Sequence, residues 1–372
     1  MPPTLVVTND FPPRVGGIES FVERACHLLD DDVVVYTSGP PGAAVTDAGR
    51  AYPVVRDGGL LLPPPGTARR AAELLRGAGA DRVLVGAAMP LGLLAPALRR
   101  AGARRVVALT HGHEVWWAAL PGPRTALRRV GDACDHLTTI SGYTARRIAP
   151  ALSPAARTRL LRLAPPVDLG VFTPPPAPPL GPPTVVAVGR FVVQKGLDVL
   201  LRAWPGVVAA LPVPPRLVLV GDGPQAAALR RLAAQPGAAG TVVLTGALPA
   251  GAVAEQLRAA HVFALPVRTR LAGLNPEGLG LAALEAAACG LPVLVGDSGG
   301  APETVLDGVT GHVLPSRDVG AWTRALVDLL ADPARAAAMG EQGRRRVGDG
   351  SGPARARRTL RDALGIDPDP VP

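Results

Sequence analysis

Along the first half of the chain, short apolar-rich runs without in-and-out alternation are separated by stretches of helical character. The runs are TLVVT at 4–8, VVVYT at 33–37, RVLVG at 82–86, RVVAL at 105–109 and HLTTI at 136–140. Their alternation with helical stretches predicts parallel strands with crossover helices. The pattern restarts with TVVAVGR at 184–190, RLVLVGDG at 216–223, TVVLTG at 241–246, HVFALP at 261–266 and LPVLVG at 291–296. Between the two sets lies TPPPAPPLGPP at 173–183, too rich in proline for sheet or helix, which reads as a stiff connector. The expectation is an α/β chain of two Rossmann-like, doubly wound domains facing a cleft between them. The first covers 1–172, a linker 173–183 and the second 184–347; a C-terminal helix and tail over 348–372 return to the first. A length of 372 residues suits two domains.

In open parallel sheets, ligands sit beyond the carboxyl ends of the strands, so the residues that follow each strand are the candidates for chemistry. After the first strand come Asn9, Asp10 and Arg14, then Gly16 and Gly17 ahead of a helix. Such a pair either cradles a phosphate on helix amides or simply marks a turn. Neither this loop nor GDGPQ at 221–225 matches G-x-G-x-x-G, so no nicotinamide or flavin is expected. After 105–109 comes HGHEVWW. His111, His113 and Glu114 lack a further ligand at a recognisable spacing, so His111 is read as a hydrogen-bonding group for a polar substrate and not as a metal ligand.

After 184–190, Arg190 and Lys195 flank a loop leading into a helix at Gly196. Two cations there would neutralise a diphosphate; the alternative is an exposed charged loop. The stretch NPEGLGLAALEAAACG at 275–290 puts Glu277 in a tight loop with Gly278, Leu279 and Gly280, ahead of a helix that starts between Leu279 and Leu281. Glu285 lies more than a turn further on. The helix start suits a phosphate and the two carboxylates suit hydroxyls on either side of it, which is the outline of a sugar nucleotide. Taken alone, the same stretch is also an ordinary core helix with a surface glutamate.

Charge and composition narrow the partners. With 39 basic and 30 acidic residues the net charge is +9, which favours anionic partners. Aromatic residues are only 3% and are not interleaved with the basic ones, so nucleic acid is not expected. Lys195 is the only lysine among those 39 basic residues. Its retention points to a place where a compact ammonium fits and a guanidinium fork does not. Cys26, Cys134 and Cys289 are far apart, which suits a reducing compartment and no zinc or disulfide framework. No apolar run reaches the roughly 18 residues of a membrane span, and the first ten residues lack the shape of a signal peptide. A cytoplasmic chain, peripheral at most, is expected. Residues 58–77, GGLLLPPPGTARRAAELLRG, join an apolar loop to a helix bearing Arg69, Arg70 and Arg76; they read as a rest for anionic lipid or as a solvated helix. Asp30-Asp31-Asp32 and Asp367-Pro-Asp369 match D-x-D, but a turn and a tail are assigned no metal.

TNDFPPRVGGIESF, THGHEVWW, GRFVVQKG, RTRLAGLNPEGLGLAALEAAACG and PVLVGDSGGAPETV, in this order, resemble the retaining glycosyltransferases of family 4, which have the GT-B fold. The likeness runs from Thr4 to about Gly311, with family-like helical segments beyond. Within the family the chain is most similar to the GDP-mannose-dependent phosphatidylinositol monomannoside mannosyltransferases. The resemblance implies that Glu277 holds hydroxyls of the transferred sugar, Glu285 the ribose, and Arg190 with Lys195 the diphosphate. It also implies that Gly16 and Gly17 close on the donor, that His111 touches the sugar near its C6 hydroxyl, and that Ser298, Gly299 and Gly300 cap the rim. Asn9, Asp10, Arg14, Arg69 and Arg70 are the acceptor-side candidates. The chain departs from the family pattern at Val267, where a small residue is usual before Arg-Thr-Arg, at Leu271-Ala272, which interrupt a usually glycine-rich loop, and at Asn275-Pro276 ahead of Glu277.

The expected reaction moves a hexose, mannose from GDP-mannose, to a hydroxyl of a phosphatidylinositol mannoside with retention and without a metal. The same reaction on a natural-product or oligosaccharide acceptor with another donor is the nearest alternative. A sugar-nucleotide epimerase or hydrolase, or a non-catalytic sugar-nucleotide binder, stands further off.

Overall fold

The computed structural model describes residues 2–14, 16–39, 43–350 and 352–366, the side chain of Ala44 excepted. The Asp367-Pro-Asp369 match and the end of the tail therefore lie outside the described residues. The chain divides into two compact units, Met1–Pro166 with Pro353–Pro372, and Val167–Gly352. The proline tract 173–183 counts with the second unit.

The first unit is built on strands β1 (Thr4–Thr8), β2 (Val33–Ser38), β3 (Val54–Asp57), β4 (Arg82–Val85), β5 (Arg105–Leu109), β6 (His136–Thr139) and β7 (Leu160–Arg162). They form one parallel sheet in the order β3-β2-β1-β4-β5-β6-β7. Leu5, at the centre of β1, pairs with Val34 on one side and Val83 on the other. Leu5, Val6 and Val7 are all fully buried, so helices cover both faces of the sheet and the run needs no alternation. Each such side chain, taken fully out of water, contributes about 1.5–3 kcal/mol.

The second unit carries β8 (Thr184–Val188), β9 (Arg216–Val220), β10 (Val242–Gly246), β11 (Val262–Leu265), β12 (Val293–Gly296) and β13 (Gly311–Leu314) in the order β10-β9-β8-β11-β12-β13, again parallel. Its helices Leu197–Ala210 and Val319–Ala331 pack together, each burying a tryptophan whose N–H is satisfied. Trp204 Nε1 donates to Thr241 Oγ1 at 2.9 Å and Trp322 Nε1 to the Pro315 carbonyl at 3.0 Å.

The helical pattern from 319 onward resolves into Val319–Ala331, Pro333–Gly350 and Pro353–Leu364. The last of these packs on the helix Gly17–Leu28 of the first unit. Arg361 donates to Asp30 at 2.9 Å, Arg357 to the same carboxylate at 2.6 Å, and Arg82 to the Leu364 carbonyl at 3.2 Å. Asp30, read from sequence only as part of a turn, thus anchors the C-terminal helix.

Three strands were absent from the sequence reading: β3, β7 and β13. All three are sheet edges of four residues or fewer. These edge strands are partly exposed and short, so VVRD, LLR and GHVL offer too little apolar run to find; the fourth edge, β10, is longer and was read from TVVLTG.

Candidate functional site

In each sheet the winding reverses beside the first strand, between β1 and β4 in the first unit and between β8 and β11 in the second. Loops leaving the strands on either side of such a reversal diverge and leave room for a ligand.

In the second unit these two loops carry the paired charges. The chain leaves β8 through Gly189 and Arg190, tucks Phe191 into the core and makes one 3-10 turn, Val193–Lys195. It then enters the helix Leu197–Ala210 through Gly196, whose φ of 67° is left-handed. A Cβ on Gly196 would stand 1.9 Å from the Pro266 carbonyl oxygen, so only glycine lets the β8 loop lie against the β11 loop here. The result is an ion pair: Lys195 Nζ is 2.7 Å from Glu277 Oε2. The Lys195 stem runs beside Gly189, its Cε 3.5 Å from where a Cβ would be.

Glu277 is 8% exposed and its backbone is held by the β12 loop. Ser298 Oγ accepts from the Glu277 amide at 3.2 Å and is 2.8 Å from Thr269 Oγ1, and the Gly300 amide donates to the Glu277 carbonyl at 2.9 Å. Gly299 adopts a φ of 62°, and a Cβ there would stand 1.9 Å from the Glu277 carbonyl oxygen. Residues 298–300, expected to cap a rim, are thus the backbone support of Glu277, and Ser298 is buried. A second scaffold, unmarked in the sequence reading, ties the same loops. Arg268 donates to both carboxylate oxygens of Asp198 at 2.8 and 3.2 Å and to the Val193 carbonyl at 2.7 Å, while Gln194 donates to the Pro276 carbonyl at 2.7 Å. The only available signal was proximity to the sole lysine and to Glu277 in sequence.

Gly278, Leu279 and Gly280 precede a helix that starts at Leu281 and runs to Ala288, with no side chain capping its first amides. Its start is at the late end of the expected range because Gly280 takes a φ of 92°. Glu285 sits in this helix, 9% exposed, about 6 Å along the axis from Leu281. Arg190 is exposed, and its guanidinium makes no hydrogen bond or ion pair among the described residues. Leu271 and Ala272, the departures from the family loop, have φ of 51° and 50°, the left-handed region in which glycine is favoured. That conformation adds strain where leucine and alanine stand in place of glycine.

In the first unit, β1 is followed by a loop whose polar groups are mostly engaged. The Asn9 amide donates to the Leu61 carbonyl at 2.8 Å and accepts from its N–H at 2.7 Å, so this acceptor-side candidate is committed to holding the 58–62 segment. Asp10 is partly buried, and desolvation raises its carboxyl above the ordinary range against the pull of His113 and Arg14. Arg14, Arg69 and Arg70 are exposed, and Arg70 has a long contact of 3.4 Å to Glu73. Gly16 and Gly17 open the helix Gly17–Leu28 with no side-chain cap. The Glu19 carboxylate lies over Gly16, 2.2 Å from its would-be Cβ, so an anion reaching this helix start must displace that side chain.

His111 leaves β5 and turns back onto the end of β4, where its Nε2 meets the Gly86 carbonyl oxygen. Gly86 itself has no room for a side chain, since a Cβ would lie 2.6 Å from Thr8 Cβ. Glu114, fully buried, accepts from the backbone N–H of His111 at 2.9 Å and of Gly112 at 3.1 Å through one oxygen. Among the described residues no group of three or more His, Cys, Asp or Glu is placed to hold a metal ion, and no helix is long and apolar enough to cross a membrane.

Comparison with known proteins adds the family. Residues 15–169 match the model described as Glycosyltransferase Family 4, and residues 173–346 the model described as Glycosyl transferases group 1. A GDP-mannose-dependent alpha-(1-6)-phosphatidylinositol monomannoside mannosyltransferase from Mycolicibacterium smegmatis is 48% identical over 355 residues, 91% of this chain and 92% of that protein. The protein of the same description from Mycobacterium tuberculosis H37Rv is 45% identical over 357 residues, 91% of this chain and 92% of its own length. Among solved structures, Anabaena HepE in complex with UDP and glucose superposes with a TM-score of 0.79 at 16% identity, covering 97% of this chain and 99% of that one. Sucrose-phosphate synthase from Thermosynechococcus elongatus gives 0.77 at 21% identity, covering 97% and 98%. Two parallel α/β units, these structural likenesses and an identity near one half over nine-tenths of the chain lead to one assignment: the chain belongs to glycosyltransferase family 4 and has the GT-B fold.

Proposed function

We propose that the chain transfers mannose from GDP-mannose to a hydroxyl of a phosphatidylinositol mannoside, with retention at the anomeric carbon and without a metal ion. The observation that carries this reading is the 48% identity, over 91% of this chain, to a relative described by that donor and acceptor. The Lys195–Glu277 pair at the β8/β11 reversal supports it, because a cation and a buried carboxylate in contact are the two functions a sugar diphosphate requires.

In this account the diphosphate takes the ammonium of Lys195, the exposed guanidinium of Arg190 and the uncapped amides at Leu281, behind Gly278, Leu279 and Gly280. Such preorganised donors are worth about 2.7–4 kcal/mol each when aimed at developing charge. Glu277, released by Lys195, accepts from sugar hydroxyls, and Glu285 accepts from the ribose. The bond from C1 to the phosphate oxygen breaks and the bond from C1 to the acceptor oxygen forms on the same face. The acceptor's proton passes to the departing phosphate oxygen, and GDP leaves. On the acceptor side, Asp10 and Arg14 with Arg69 and Arg70 are the polar groups for a phosphoinositol head.

Membrane contact belongs to the same proposal. Leu60 and Leu62 are 61% and 50% exposed on either side of the buried Leu61 and lead into the helix Pro65–Gly77, on which Arg69, Arg70 and Arg76 are exposed. Apolar tips beside arginines suit an anionic bilayer surface. The test is incubation of the full chain with GDP-mannose and phosphatidylinositol monomannoside in phosphatidylglycerol vesicles, with and without a chelator. The expected result is a retained α-linkage in the lipid product, unaffected by chelation, with vesicle co-sedimentation that salt weakens. Hydrolysis of GDP-mannose without transfer, or transfer only from another sugar nucleotide, would overturn it.

A further inference from the structure

His111 and Glu114 form a unit with a chemical consequence. The Gly86 carbonyl can only accept, so the His111 Nε2 that meets it carries the proton. In a neutral ring, Nδ1 then carries the lone pair. The groups facing this ring are Glu19 and Phe21 from the helix Gly17–Leu28, Gly86 from the end of β4, His113 from its own loop, and Glu114 at the start of the helix Glu114–Ala119. Phe21 meets the ring edge-on at 5.7 Å and His113 stacks at 6.3 Å. Burial of the ring drives its pKa below the ordinary histidine value, and the Glu114 carboxylate pulls the other way.

Glu114 is an unusual group to bury. Its Oε2 is satisfied by two amides, yet Oε1 has no hydrogen-bond partner; His113 Nε2 approaches it at 3.3 Å without hydrogen-bond geometry. A carboxylate without access to water is costly, and a structural role in capping two amides needs only a neutral oxygen acceptor. The buried Oε1 without a partner is therefore the feature to explain, and the nearest function-bearing group is the imidazole whose backbone the same side chain holds.

We propose that Glu114 is a positioning residue: by accepting from the amides of 111 and 112 it holds the His111 ring against the Gly86 carbonyl, so that Nε2 carries the proton and Nδ1 offers its lone pair to a substrate hydroxyl. On this reading, which rests on the transferase assignment for its substrate, His111 accepts a hydrogen bond from the sugar or the polyol and does not donate one to a phosphate. The carboxylate does two things: it anchors the loop through the amides of 111 and 112, and its field sets how easily the ring takes a second proton.

The test is 15N NMR of the histidine rings in the full-length enzyme, with the His111 signals identified by their loss in His111→Asn. The wild type is expected to show Nε2 protonated and Nδ1 bare at neutral pH. Glu114→Ala should mix the tautomers and lower kcat/KM by about 100-fold, mainly in kcat, as expected for a small displacement of a substrate-contacting group. Glu114→Gln keeps an oxygen for the amides, so it should preserve the tautomer and recover most of that loss. Because it removes a negative charge beside the ring, it should also move the acid limb of the pH profile to lower pH. An Nδ1-protonated or doubly protonated His111 in the wild type, or an acid limb unmoved in Glu114→Gln, would overturn the proposal. The NMR readout needs no substrate, so absence of mannosyl transfer by the wild type would defeat the transferase reading and leave this one to be decided separately.

Discussion

The strand-end clusters of the two units use one topological device for opposite electrostatic ends. At the β8/β11 reversal, Lys195 and Glu277 neutralise each other across 2.7 Å, so full charges are stored as a pair that a ligand of mixed character can open. Beside the β1/β4 reversal, burial works against charge on two groups, lowering the pKa of His111 and raising that of Asp10, with the buried Glu114 side chain beside them. The paired site suits an anion with hydroxyls attached, and the buried one suits hydrogen bonding without strong ionic grip. The lesson is that position at a switch point predicts where a ligand goes, while burial and pairing decide what kind of group it presents.

The largest effect should come from opening the charged side. Lys195→Ala is expected to lower mannosyl transfer by about 100- to 1,000-fold and to weaken GDP binding measured by calorimetry. Lys195→Arg should not restore it, because the stem lies against Gly189 and a planar fork needs more width than an ammonium. Glu277→Gln separates the two partners' roles. Turnover should fall by about 100-fold, yet GDP should bind at least as tightly as to the wild type, since Lys195 no longer has a competing carboxylate; weaker GDP binding would break the distinction drawn here.

A smaller effect is expected from the support behind Glu277. Gly299→Ala forces a Cβ toward the Glu277 carbonyl in a left-handed backbone, so kcat should drop by about tenfold to a hundredfold, with a stability loss of about 1–3 kcal/mol in denaturant titration. The smallest effect is at the neighbouring loop. Leu271→Gly should raise stability by about 0.5 kcal/mol, the relief of the left-handed leucine less the added freedom of glycine in the unfolded chain, whereas Leu271→Ala should give no gain.

Much of this was legible in the sequence. The ten apolar runs gave strands, and Lys195 and Glu277 stood out as the sole lysine and as a loop carboxylate ahead of a helix. Their mutual contact was not legible, because it depends on Gly196 lying against Pro266, which no local pattern encodes. Three of the four edge strands escaped for lack of a long apolar run, whereas the fourth, β10, carries TVVLTG and was found. Glu114 was weighed only as a metal ligand; it opens the helix Glu114–Ala119 and accepts from the amides two and three residues back, a reach that no spacing rule used in the sequence reading covers. Asn9 read as a ligand group for the opposite reason: its partner, Leu61, is 52 residues away.

The central claim, that Lys195 and Glu277 at the β8/β11 reversal receive the donor, is tested most directly through the chain's only lysine. The wild type would be treated with an amine-selective acylating reagent, with and without GDP-mannose, and the peptide containing Lys195 quantified by mass spectrometry. The account predicts that GDP-mannose protects Lys195 strongly at concentrations that support transfer. Equal labelling in the presence and absence of the donor would contradict it.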